Sequence, residues 1–206
     1  MYELGDVLPE TRVDPGTNLL VSGPPMVDKR RIALEVLSAG AKRGDGSVVV
    51  TTKDSADRVL EEFARTAAAD AGPVGVVDCV SRQQGLDGLD DGPRVKYASS
   101  PVDMTGIGIA LSEFLEEFQG RVQDNRHRVL LHSLSTMLMY SDLQTVFRFL
   151  HVFSGRIQSV DGLGLYVIDA TAHDDRTMST LKQLFDGIVT VEQGEDGPAV
   201  SLRGNP

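Results

Sequence analysis

The sequence predicts an α/β fold: a central, mostly parallel sheet flanked by helices, with a C-terminal β-hairpin. Three observations predict it. Apolar or β-branched runs alternate with helix-period segments, and strand–helix–strand order implies right-handed crossovers between parallel strands. The last stretch, "GIVTVEQGEDGPAVSLRG", holds two strand-like runs around a turn. At 206 residues, with no repeat, low-complexity tract or linker, the chain suits one α/β domain spanning 1–206.

Each element has its own signal. "NLLVSG" (18–23) reads as a buried strand, and 29–42 as a helix stopped near Gly44. "SVVVTT" (47–52) is a β-branched strand. "SADRVLEEFARTAAADAG" opens on a Ser N-cap and runs as a helix to Gly72. "VGVVDCV" (74–80) is a third strand, and residues 81–93, rich in Gly and Asp, form a loop. "VKYAS" is a short strand. Asp103 caps a helix over 103–120, with Leu111, Phe114, Leu115 and Phe118 on one face. A strand at 128–133, a helix at 142–159, a strand at 163–171 and a helix near 175–184 follow. The hairpin turns at "GEDG".

Composition excludes some function classes. Net charge is −10, with 20 Asp and 10 Glu against 15 Arg and 5 Lys. Such a surface repels nucleic-acid phosphates, so nucleic acid is not the expected partner. The basic clusters "DKRR" and "RVQDNRHR" read as solvated faces. Abundant Asp, scarce Lys and the absence of Trp resemble a salt-adapted, haloarchaeal-type composition. No run approaches a membrane span, and "MYELGDVLPE" lacks the apolar core of a leader. A cytoplasmic protein is expected. Cys79, the sole cysteine, reads as a buried strand thiol.

Chemistry concentrates at "VSGPPMVDKRRIALEVL" (21–37), an apolar strand followed by Gly-Pro-Pro, a Lys and a helix. This is the layout of a phosphate-binding P-loop, GxxxxGK[ST]. Gly23 and Lys29 stand where the first Gly and the Lys belong. Asp28 replaces the second Gly and Arg30 the hydroxyl residue. A carboxylate ~4 Å from a phosphate is repelled by about 4 kcal/mol at an effective dielectric of 20. Arg30 lacks the hydroxyl that would ligate Mg²⁺, although its charge suits a phosphate. Read structurally, Asp28 is a helix-start residue favoured by the dipole, and Lys29, Arg30 and Arg31 are solvent-facing charges. That structural reading is preferred, with Gly23, Lys29 and Arg30 kept as the candidate cofactor-binding residues of a degenerate P-loop.

"RVLLHSLSTML" (128–138) resembles the "hhhhDSLS" strand of RecA-superfamily ATPases, close to the KaiC-like branch. In that family the strand-ending Asp holds the Mg²⁺ water shell; here His132 takes its place, a poor ligand for a hard cation. It reads as a neutral His bonded to Ser133 or a loop carbonyl. His127, His151 and His173 show no ligand spacing, so no metal site is expected. "VVVTTKDSADRVLEEF" resembles the segment where KaiC-like chains carry "FEES", whose Glu pair activates water. Lys53 and Asp54 stand there instead, Asp54 as a turn or cap residue. "LYVIDATAHD" and the C-terminal hairpin extend the resemblance over about residues 16–204.

The resemblance implies a RecA/KaiC-like domain, ATP as its ordinary cofactor, and side-by-side assembly. The departures imply a non-hydrolysing relative with no catalytic residues of its own. Its role would be regulatory or scaffolding, through protein partners, either itself or an active homologue, and without membrane contact. The alternative is an ATP-binding protein or ATPase with an unusual site, Arg30 and Asp54 taking altered roles. Loop 81–93 and helix 103–120, with Glu113, Glu116 and Glu117 on its outer side, are the candidate contact surfaces.

Overall fold

A computed structural model of the chain describes residues 1–67, 71–86, 89–194 and 197–204. Strands β1 (Tyr2–Glu3) and β2 (Arg12–Val13) form a small antiparallel pair. Then come β3 (Asn18–Gly23), α1 (Lys29–Ala41), β4 (Gly46–Thr51), α2 (Ala56–Thr66), β5 (Val74–Asp78) and β6 (Val95–Tyr97). The second half holds α3 (Met104–Phe118), β7 (His127–His132), α4 (Leu134–Tyr140), α5 (Leu143–Gln158), β8 (Leu163–Asp169), α6 (Asp175–Lys182), β9 (Gly187–Gln193) and β10 (Pro198–Gly204).

These strands form an eight-stranded sheet in the order β10-β9-β3-β8-β7-β4-β5-β6. All pair in parallel except β10, which closes the sheet as an antiparallel hairpin with β9. Successive side chains leave a strand on opposite faces. Leu19, Val21 and Val49 therefore pack with Ile32, Leu37 and Val59 of α1 and α2. Leu20, Val48 and Val50 pack with Phe114, Leu150 and Phe153 of α3 and α5. Both faces are covered, which is why the central strands are apolar at consecutive positions. The expected fold class is the fold found.

The differences have local causes. The helix that opens at Ser55 ends at Thr66, short of Gly72. Gly72 N–H instead donates to the Ala41 carbonyl (2.8 Å), drawing this segment against the end of α1; residues 68–70 lie outside the described residues. Ser55 makes no side-chain cap; the buried carboxylate of Asp78 accepts from Ala56 N–H (2.8 Å) in its stead. The same carboxylate accepts from Val80 and Ser81 N–H and ends β5 two residues early. Asp103 does cap α3, accepting from Gly106 N–H at 2.9 Å. The hairpin turn falls on Glu195 and Asp196, outside the described residues; its flanks, Gly194 and Gly197, are joined by a 2.9 Å bond.

Strands β1 and β2 and helix α4 escaped the sequence reading. The strands of the N-terminal pair are too short to show a period, yet Tyr2, Leu4 and Val13 are buried beside α1. Helix α4 occupies "LSTMLMY", between its cap Ser133 and Asp142, the cap of α5. "RVQDNRHR" is not a solvated face throughout. Arg128 is fully buried, its Nε 2.8 Å from Asp45 and its Nη1 donating to the Glu3 and Val36 carbonyls. A buried guanidinium requires such acceptors, and of its three nitrogens only Nη2 is left without one. Among the described residues no helix is long and apolar enough to cross a membrane.

Candidate functional site

Four adjacent parallel strands, β3, β8, β7 and β4, end on one rim of the sheet. Their register sets Gly23 beside Asp169, and Thr51 beside His132. The chain leaves β3 toward α1 on one face and leaves β8 toward α6 on the other. Neighbouring strands that exit to opposite faces open a crevice at their carboxyl ends. A cleft of about 710 Å³ lies there, lined by Lys29, Arg30, Lys53, Asp54, His132 and Asp169, among others.

Lys29 is 4% exposed. Its Nζ lies 2.8 Å from Asp169 Oδ1 and donates to the carbonyls of Pro24 and Val27 in its own loop. Arg30 is also largely enclosed, its side chain 15% exposed. Its Nη1 pairs with Glu62, its Nε lies 3.7 Å from Asp54, and its buried Nη2 has no partner. The expectation that Lys29 and Arg30 face solvent is therefore corrected. Only Arg31 does so, bridging Asp28 (3.2 Å) and Glu35 (2.8 Å) along α1. The difference follows from helix phase: Lys29 and Arg30 point back over the sheet rim, while Arg31 turns outward.

Gly23 differs from its expected part, while Asp28 stands at the start of α1 as expected. A Cβ on Gly23 would sit 2.3 Å from the Val191 carbonyl oxygen. Close packing against β9 alone demands glycine there. Asp28 occupies the N-cap position of α1 at φ −77°, but its carboxylate makes no cap bond. The left-handed position in this loop is Met26, at φ 68°, with its side chain fully in solvent. Such a backbone favours glycine and costs a larger residue about 1–2 kcal/mol.

His132 is 8% exposed, and its Nδ1 has no hydrogen-bond partner. Neither Ser133 nor a loop carbonyl bonds it, contrary to expectation. Ser133 N–H instead donates to Thr52 Oγ1 (2.7 Å). Burial, helped by the nearby Arg30 charge, lowers the His132 pKa from 6.5 to about 4, so the ring is neutral at pH 7. Asp54 holds a turn: Thr51 Oγ1 accepts from its N–H (3.1 Å) and donates to its carbonyl (2.8 Å). Its carboxylate pairs with Arg58 at 3.2 Å.

Sequence reasoning assigned no part to Asp169, Glu62 or Ser135. Ser135 Oγ accepts from Asp169 N–H (3.0 Å) and lies 2.8 Å from His173 Nε2, tying β8 to α4. Asp169 did carry a signal: it is a lone carboxylate closing the apolar run "LGLYVID". These residues do not fit magnesium-bound ATP. No hydroxyl follows Lys29, β7 ends in a neutral imidazole, and the loop's ammonium is already neutralised by Asp169.

The sequence profile of a family of unknown function, DUF7504, matches residues 16–191. The chain belongs to this family. The DUF7504 chain matches no curated protein. Its fold resembles solved structures from hyperthermophilic archaea. One is the uncharacterized protein PH0321 from Pyrococcus horikoshii, solved in complex with an unknown peptide. The TM-score is 0.63 at 14% identity, covering 94% of this chain and 85% of that one. Another is the KaiC-like protein PH0186 from Pyrococcus horikoshii OT3, with a TM-score of 0.60 at 13% identity, covering 91% and 76%. At such identities the likeness is one of fold, and this DUF7504 chain has the KaiC-like fold.

Proposed function

We propose that this DUF7504 chain is a non-hydrolysing, KaiC-like pseudo-ATPase that acts through protein contacts, as a regulator or scaffold. One observation carries the reading. Lys29, the only cation kept from a P-loop, is buried and bonded to Asp169 and to its own loop. An incoming phosphate would have to displace a carboxylate already at hydrogen-bond distance. Phosphoryl transfer also needs metal charge and positioning together. Arg30 supplies no metal ligand, and its charge is shared with Glu62 and Asp54. The peptide in the PH0321 structure supports a fold used for protein contact. The acidic, Lys-poor composition supports a salt-adapted, cytoplasmic protein, and the KaiC-like resemblance suggests assembly with itself or with an active homologue.

The test is a titration with labelled ATP in concentrated KCl, with and without Mg²⁺, alongside a phosphate-release assay. Background turnover is expected. Magnesium-dependent hydrolysis that disappears in Lys29→Ala would overturn the proposal.

A further inference from the structure

The cleft at the sheet rim does not fit magnesium-bound ATP, yet its volume of about 710 Å³ is that of a small-molecule site. Two of its lining side chains each hold a polar atom without a partner. Arg30 Nη2 and His132 Nδ1 are both buried, and neither makes a hydrogen bond. Buried polar atoms nearly always find a partner, so two exceptions in one cleft need an explanation.

We infer that the cleft binds a metal-free carboxylate that carries an apolar group, with Arg30 and His132 holding the carboxylate and Met26 and Met139 covering the apolar part. The inference rests on the reading that the cleft no longer takes metal-bound ATP, and it gives the cleft a ligand of another class. The donors are the first reason. His132 is 8% exposed and neutral at pH 7, so its ring offers a single N–H. Arg30 turns Nη1 to Glu62 and Nε toward Asp54, which leaves Nη2. Two donors match the two oxygens of a carboxylate. Terminal torsions of such side chains are soft, so small rotations bring both atoms to a group seated in the cleft.

Charge is the second reason. Lys29 is held by Asp169 (2.8 Å), Arg58 by Asp54 (3.2 Å) and Arg30 by Glu62. Asp28 is held by Arg31 (3.2 Å). Of the cations that line the cleft, Lys53 is exposed and, among the described residues, makes no ion pair. One free positive charge balances a monoanion. A phosphate chain brings several negative charges, and among the described residues no cluster of metal-ligating side chains could hold a cation to offset them.

The cleft's mouth is the third reason. Met26 stands fully in solvent at a left-handed φ of 68°, where glycine would be less strained. Its side chain packs against nothing in this chain, so folding does not explain a methionine there. Met139, 79% exposed, lines the same cleft from α4. Flexible thioethers adapt to apolar groups of varied shape. The cleft therefore has polar donors inside and apolar side chains at its mouth, which is the order in which an acid with an apolar tail would enter.

The experiment is an NMR titration of the full chain, without Mg²⁺ and at one fixed KCl concentration, with folding checked by circular dichroism. The probes are potassium isocaproate, isocaproamide, acetate and inorganic phosphate. Isocaproate should bind with a Kd of about 1 mM or tighter. The amide and phosphate should bind about tenfold more weakly or not at all. Arg30→Gln and His132→Phe should each weaken isocaproate about tenfold. Met26→Gly should weaken isocaproate about threefold, leave acetate unchanged and melt higher than the parent. Affinity and stability then move in opposite directions, which a folding defect would not produce. Leucine-ended peptides with a free or an amidated C-terminus separate the sources of the carboxylate: a free end that outbinds isocaproate assigns the cleft to a polypeptide terminus, and the reverse to a small acid. Equal binding of acid and amide, tighter binding of phosphate, or no binding of isocaproate would overturn the inference. Phosphate release from ATP is measured on the same samples with Mg²⁺. Turnover there would sink the pseudo-ATPase reading, whereas failure of the acid to bind without turnover would sink the carboxylate site alone.

Discussion

Lys29 Nζ and Asp169 Oδ1 lie 2.8 Å apart, joining the first turn of α1 to the end of β8. The two partners are not equivalent, because Lys29 is 4% exposed and Asp169 36%. Asp169→Asn leaves a buried ammonium without its counter-charge and is expected to cost about 2–3 kcal/mol, less than a fully enclosed pair would. Lys29→Met leaves a carboxylate that water can reach and keeps the buried volume, so its cost should be under about 1 kcal/mol. Urea unfolding of the two variants checks this. Equal losses would mean that the ammonium is hydrated in solution.

In the loop before α1, the strain lies at Met26 and not at Asp28. Met26→Gly relieves a left-handed φ of 68° and should raise stability by about 0.5–1 kcal/mol. Asp28→Gly, at φ −77°, relieves nothing, frees the unfolded chain and loses the bond to Arg31. It should lower stability by about 1 kcal/mol. Thermal melts of both single variants separate the two positions.

His132 makes stability depend on pH. Its folded pKa, about 4, lies below its ordinary 6.5. Between those values the unfolded chain binds a proton that the folded chain does not, so stability rises with pH across the window. The contribution is complete above about pH 6.5 and is lost as pH falls toward 4, by ~3 kcal/mol in all. His127, also lowered by burial, acts in the same direction. In denaturant titrations, His132→Gln should flatten most of the slope between pH 6.5 and 4. An unchanged slope would show that His132 is hydrated.

Net charge −10 implies self-repulsion in dilute buffer. Molar salt screens charges to within ~3 Å. The melting temperature should rise from dilute to concentrated KCl. A flat profile would make the acidic composition incidental to folding.

The sequence by itself determined the fold class and the strands and helices of its core, though not β1, β2 or α4. Strands β3, β4 and β7 announce themselves as runs of consecutive apolar residues, and Asp103 announces the start of α3. Those signals sit within contiguous residues, where backbone preference, periodicity and capping operate. The sequence also placed Gly23 and His132 at the ends of strands on the cleft's rim, and Lys29 and Arg30 at the start of the helix that follows Gly23. Only the tertiary structure decided what these residues do there. Lys29 reads as a surface charge until the β3–β8 register brings Asp169 beside Gly23. Arg128 reads as one charge in a basic cluster until Asp45 and two backbone carbonyls surround it. Gly23 reads as a phosphate-loop glycine until the Val191 carbonyl occupies the space a side chain would need. In each case the deciding partner lies far along the chain. Whether a charge is exposed or paired depends on strand order and register, and no local pattern encodes those.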